Sequence, residues 1–206
     1  STDYNVGATP VDLKDERGYG LGFWHDQTLF DGKGSNTFAV IYRDGAAVPR
    51  GSFNNDPLLN NSAVKDVDFF EINNQMMFET NQDWAFSWAA IYRDTDQKNT
   101  DGTNTNVEWF STGVRPIYYL TDHLNLAFEL GYDHVDNNQT NQSGGLTKAT
   151  VTLQIAKSRG FFSRPVVRVF GTFATWDSDF KGAVGGTTYA NETNGHTFGV
   201  QAEWWW

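Results

Sequence analysis

The feature that most constrains this chain is a two-residue hydrophobic alternation that returns in segment after segment. From Leu124 to Tyr132, Leu124, Leu126, Phe128, Leu130 and Tyr132 alternate with Asn125, Ala127, Glu129 and Gly131. A period of two puts the apolar set on one face of a strand and the polar set on the other. Trp84, Phe86, Trp88, Ala90 and Tyr92 oppose Ala85, Ser87, Ala89 and Arg93 in the same way. So do Ala149, Val151, Leu153 and Ile155 against Thr150, Thr152 and Gln154, and Phe38, Val40 and Tyr42 against Ala39, Ile41 and Arg43. About nine segments carry the pattern, near 18–29, 35–44, 66–80, 83–95, 106–121, 124–137, 146–157, 164–178 and 196–206. Helical periodicity is weak throughout. Short turns at Asp31–Gly34, Asn81–Gln82 and Thr121–His123 alternate with long polar loops at Gly45–Lys65, Asp96–Thr105, Asp136–Gly145 and Ser178–Gly195. Turns on one side and loops on the other is the asymmetry of a transmembrane barrel. The expected fold is therefore all-β: an antiparallel transmembrane β-barrel sheet, in one domain over residues 1–206, with 1–17 unassigned.

Composition agrees with that reading. Aromatics make up 16% of the 206 residues, with 8 Trp, 8 Tyr and 16 Phe. Rings in such number suit either ligand stacking or a membrane interface, where an amphipathic ring is favoured. The net charge of −10 excludes nucleic acid as a natural partner, since phosphate binding needs clustered Lys and Arg. The absence of cysteine removes disulfides, thiolate metal sites and thiol nucleophiles. No run of 18 apolar residues is present, as a membrane helix would need. Ser1 to Asp12 lack the charged and apolar regions of a signal peptide. No catalytic residues, metal site or cofactor are expected. Asp94, Asp96 and Asp101 lack the sixth-position glycine of an EF-hand loop. Glu71, Glu129 and Asp133 have no separation fixed by sequence that would make a glycosidase pair. His25, His123, His134 and His196 read as loop or interface residues, and the long Asn- and Gly-rich loops as solvated surface.

The chain end carries the sharpest signal. Thr197-Phe-Gly-Val-Gln-Ala-Glu-Trp-Trp-Trp206 has apolar residues at every second position and stops on an aromatic. Chain ends of soluble domains are usually frayed and polar. Trp204 and Trp206 fit an aromatic girdle facing lipid, which turns Trp205 toward the interior. This stretch resembles the last strand of the maltoporin-like sugar porin family. Phe161-Phe-Ser-Arg-Pro-Val-Val-Arg-Val-Phe-Gly-Thr-Phe-Ala-Thr-Trp-Asp177 resembles the penultimate strand. Ser111-Thr-Gly-Val-Arg-Pro-Ile-Tyr-Tyr-Leu-Thr-Asp-His123 and Glu129-Leu-Gly-Tyr-Asp-His134 resemble two strands before those. The likeness is specific over 106–206 and continuous, though weaker, back to Gly18.

The resemblance implies an integral protein of the bacterial outer membrane that passes sugars, malto-oligosaccharides or related glycosides, by selective diffusion. It implies an eighteen-stranded barrel assembled as a homotrimer, so nine strands would be its carboxy-terminal half. The constriction loop and most sugar hydrogen-bonding groups would then lie in the other half. It also implies a row of lumen aromatics on which sugars stack. By the motif these are Trp176 and Trp205. A third belongs near Gly18–His25, where the aligned position is Leu21 and Phe23 stands in as the candidate. Parity sets Arg43, Arg93, Arg115, Arg168, Glu71, Glu129, Asp133 and Glu203 on the polar face. So many charges suit a water-filled interior rather than a dry core, and most are expected to pair and brace the wall. The partners expected are thus sugars and outer-membrane lipid. The competing expectation is a soluble, Trp-rich carbohydrate-binding β-sandwich, whose strands would bury their apolar faces in a core.

Overall fold

The computed structural model describes residues 4–6, 9–11, 17–48, 67–80, 83–98 and 103–204. β1 (Tyr4–Val6) and β2 (Thr9–Val11) pair as a small antiparallel hairpin. The remaining strands are β3 (Gly18–Leu29), β4 (Gly34–Gly45), β5 (Val67–Glu79), β6 (Trp84–Lys98), β7 (Asn104–Tyr119), β8 (Leu124–Asn137), β9 (Gln142–Ala156), β10 (Val166–Trp176) and β11 (Asn194–Glu203). They form one nine-stranded sheet in sequential order, antiparallel at every pairing, with β3 and β11 at its edges. A β-sandwich needs two sheets packed face to face. All nine long strands lie in one sheet, and the sandwich expectation fails on that ground.

The register fixes the two faces. Arg43 stands across from Phe69, Glu71 from Arg93 and Arg93 from Trp109. Ser87 stands across from Arg115, and Gln154 from Arg168, which faces Gln201. One continuous polar face results. Its counterpart is apolar and bare: Leu130 is 53% exposed, Val151 51%, Val169 55% and Val200 72%. No large side chain is fully buried among the described residues. Two small apolar clusters exist, Ala85–Ile117–Tyr119–Ala127 and Val48–Val67–Phe69. So wide an exposed apolar face marks contact with a nonaqueous phase.

The sheet curls toward the polar face. Glu79 at the end of β5 receives the Phe161 backbone N–H at 2.6 Å from the connection between β9 and β10. Four inter-strand steps of ~4.8 Å would separate the two in a flat sheet. The concavity holds a cavity of about 570 Å³ bounded by β4 to β9.

Strands run further than the alternation indicated. The expected loop Asp136–Gly145 is a four-residue connection, 138–141, because β8 reaches Asn137 and β9 begins at Gln142. The Asn137 side chain accepts the Gln139 and Thr140 N–H groups, and Asn141 adopts φ 52°, which closes a tight turn. β6 likewise runs to Lys98 and β7 begins at Asn104, so strand reaches into the expected loop Asp96–Thr105 from both ends. At ~3.3 Å per residue, β7 with its 16 residues is far longer than an apolar band of ~25 Å. The excess extends the hairpins beyond the band on the loop side. Most of Gly45–Lys65 lies outside the described residues.

Candidate functional site

The inner wall is laced by charge pairs. Arg93 contacts Glu71 at 2.6 Å and stacks over the rings of Phe69 and Trp109, at 5.4 and 5.0 Å. Arg43 also lies over the Phe69 ring, at 5.7 Å. Trp109 donates its indole N–H to Asp133 at 3.3 Å. A ladder of guanidinium and ring therefore crosses β4 to β8. Nearer the turns, Arg168 holds Gln154 at 2.8 Å and Glu203 at 2.5 Å, and Arg164 reaches Glu203 at 2.9 Å. Glu129 and Lys148 pair at 3.7 Å across β8 and β9. Arg115 lies on the same wall and lines the cavity beside Glu129. Among the described residues no three His, Asp or Glu side chains converge as a metal would need.

Two aromatic positions look different from their sequence reading. Phe23 pairs with Val40, so it shares the outward face with Leu21 and Tyr42. The assignment of Phe23 to the lumen is thereby corrected. Its neighbour Trp24 pairs with Ala39 and faces the interior at 59% exposure. The Trp24 ring lies over Gly22, where any Cβ would overlap it. Trp176 shares the inner face with Arg168 and Thr172 but is only 5% exposed. The Tyr189 ring meets it edge-on at 6.4 Å, and the Trp176 indole N–H has no partner. Trp205 lies outside the described residues.

The outward face ends in rings at the level of the turns. Phe30 and Phe78 lie 5.1 Å apart, Phe78 and Phe86 5.2 Å, Trp84 and Phe86 5.8 Å, and Trp84 and Tyr118 4.8 Å. Above them the face carries aliphatic side chains, and Tyr132 and His134 stack at 6.5 Å toward the loop side. Aromatic belts bordering an aliphatic band are what a strand-spanned bilayer requires. The model of the LamB porins matches residues 2–206. The chain belongs to the LamB porin family. It is accordingly an integral protein of the bacterial outer membrane, in a family of sugar channels rather than of enzymes. The match reaches well ahead of Gly18, into residues whose strand pattern is weak.

In this porin the polar face lines the channel and the aliphatic face meets lipid. Sequence reasoning missed Trp24 because Phe23 and Trp24 are adjacent rings flanked by glycines on one side only. The usable signal was Arg43: once it is placed inward, a twelve-residue pairing of β3 with β4 puts Gly20, Gly22 and Trp24 inward as well. The connection after β9 was missed too. It spans 157–165, and it folds inward over the turn end of the wall rather than turning tightly. Arg159 there contacts Asp83 at 2.6 Å and Asp122 at 3.1 Å. The Asp83 carboxylate, joined by Asp122, raises the Arg159 pKa above its ordinary value.

Proposed function

We propose that this porin conducts malto-oligosaccharides or related glycosides, guided by stacking on Trp24, Trp176 and Trp205. The observation that carries the reading is Trp24, a large exposed ring on the water-facing side of the wall. A pyranose offers an apolar C–H face to such a ring and a rim of hydroxyls to polar neighbours. Wall charges of both signs suit a neutral polar solute.

The nine strands make up the carboxy-terminal half of an eighteen-stranded barrel, and the complete porin is a homotrimer. Support comes from the open edges of β3 and β11, since lipid offers an unpaired edge no hydrogen bonds. Intact mass and detergent-extracted size of the native material test this: a stable barrel of 23.2 kDa would refute it. The sugar reading is tested by block of channel current in planar bilayers. Trp24→Ala, Trp176→Ala and Trp205→Ala are each expected to weaken block, and unchanged block in all three would end the slide assignment.

A further inference from the structure

Large exposed apolar side chains in this chain follow a rule. Among the described residues they lie on the lipid face or at the turn tips Phe30 and Leu120, with two exceptions, Trp24 and Phe162. Phe162 sits on the inward-folded connection between β9 and β10, is 63% exposed and lines the channel cavity. Water around a bare phenyl ring is unfavourable, at ~25 cal/mol per Å² of apolar surface. The position therefore calls for an occupant.

The connection is held in place from several sides. Phe161 packs against the cluster of Ala85, Ile117, Tyr119 and Ala127. Its N–H donates to Glu79, which also receives the Tyr119 hydroxyl at 3.4 Å. Arg159 ties the segment to the turns through Asp83 and Asp122. Ser158 and Ser163 close its base at 3.1 Å. Phe161 and Phe162 meet edge to face, centroids 5.1 Å apart at 73°, so the half-buried ring orients the exposed one. Around the same cavity stand Ser87, Arg115, Glu129 and Lys148. One flat ring presented to water beside hydroxyl and charged groups matches a pyranose, apolar on its face and polar on its rim.

We propose that Phe162 is a sugar-stacking platform at the turn end of the channel, separate from the aromatics on the strands. The inference rests on the sugar-channel reading and extends it to the exit. Trp176 ends β10 on the loop side, Trp24 lies midway along β3, and Phe162 lies at the turns. A sugar leaving Trp24 toward the turns meets Phe162 next among the exposed inner rings.

The test uses the native porin in planar bilayers with maltotriose. Phe162→Ala is expected to raise the half-blocking concentration roughly three- to tenfold, the range of one aromatic contact. Phe162→Tyr, which keeps the ring, stays near wild type. Conductance without sugar stays the same in both. Should Phe162→Ala form no channels, Phe162→Leu serves instead, and the same loss is expected because apolar bulk without a flat ring does not stack. Normal block in wild type and in the ringless variant overturns the platform while leaving the sugar reading intact. Changed sugar-free conductance with unchanged block also overturns it, and makes Phe162 a constriction only. Absence of block in wild type removes both readings.

Discussion

Glu203 is the residue on which the wall near β11 depends most, and Glu203→Gln is the perturbation that measures it. The carboxylate receives Arg164 at 2.9 Å and Arg168 at 2.5 Å. The two arginine side chains are 12% and 10% exposed, while that of Glu203 is 29% exposed. Removing one partner of a fully buried pair costs ~3–5 kcal/mol, and an exposed pair is worth ~0–1 kcal/mol. Partial exposure and the surviving amide oxygen place Glu203→Gln between these, at about 2–3 kcal/mol. Arg168→Met has its own cost, because the Gln154 oxygen, in a residue 4% exposed, loses its donor. In the double variant the two guanidiniums no longer crowd an uncharged amide. Its total is expected to fall short of the summed single costs by about 1–2 kcal/mol. Guanidinium unfolding of the porin in phospholipid vesicles reads these differences as midpoint shifts at constant slope. Both contacts are shorter than the ~3 Å screening length of 1 M salt, so a difference measured in urea at high salt persists. Glu203→Gln within about 0.5 kcal/mol of wild type, or strict additivity in the double variant, would refute this account.

Two further predictions test the faces and the turns. Val151 faces outward across from Phe128, so Val151→Arg places a charge against lipid near mid-band and is expected to cost ~2–4 kcal/mol. Thr150→Arg, one residue away and facing inward, is expected to cost much less; equal costs in the same vesicle titration would mean the faces are reversed. Arg159→Ala loosens the inward connection from the turns of Asp83 and Asp122. It is expected to speed protease cleavage within 158–163 while barrel stability changes by less than about 1 kcal/mol, since exposed ion pairs contribute little. Unchanged cleavage would show that Phe161, through its packing and its hydrogen bond to Glu79, holds the segment without Arg159.

The strands were legible because each spans a boundary between two solvents. A residue such as Leu130 or Val151 meets lipid, and its neighbour meets water, so the alternation is enforced at every step. Where both neighbours are aromatic, as at Phe23 and Trp24, polarity no longer distinguishes the faces and only the partner strand decides. Loop lengths were less legible for a related reason. Outside the band both faces of a hairpin are wet, so the polar stretch Asp136 to Gly145 reads as loop although Asp136 and Asn137 stay paired with Ser143 and Gln142. The 157–165 connection was hidden by distance. Its contacts are with Glu79, Asp83 and Tyr119, which lie far away in the sequence and come near only because the sheet curls.

The same physics accounts for how the wall separates rigidity from recognition. Most inner charges are engaged by one another: Arg93 with Glu71, Arg168 and Arg164 with Glu203, Lys148 with Glu129. A guanidinium held by a carboxylate loses little further on meeting a hydroxyl, and it leaves a surface of modest, mixed polarity over which a neutral solute can move. The bare inner rings have no such partner, so apolar contact with a sugar face is the interaction each can still gain. Under the proposed reading, weak, repeated stacking would permit both entry and release, whereas one deep polar pocket would hold its ligand. If the proposed stacking holds, selectivity for glycosides is expected to follow the spacing of the exposed rings Trp24 and Phe162 along the wall more than the identity of any single charge.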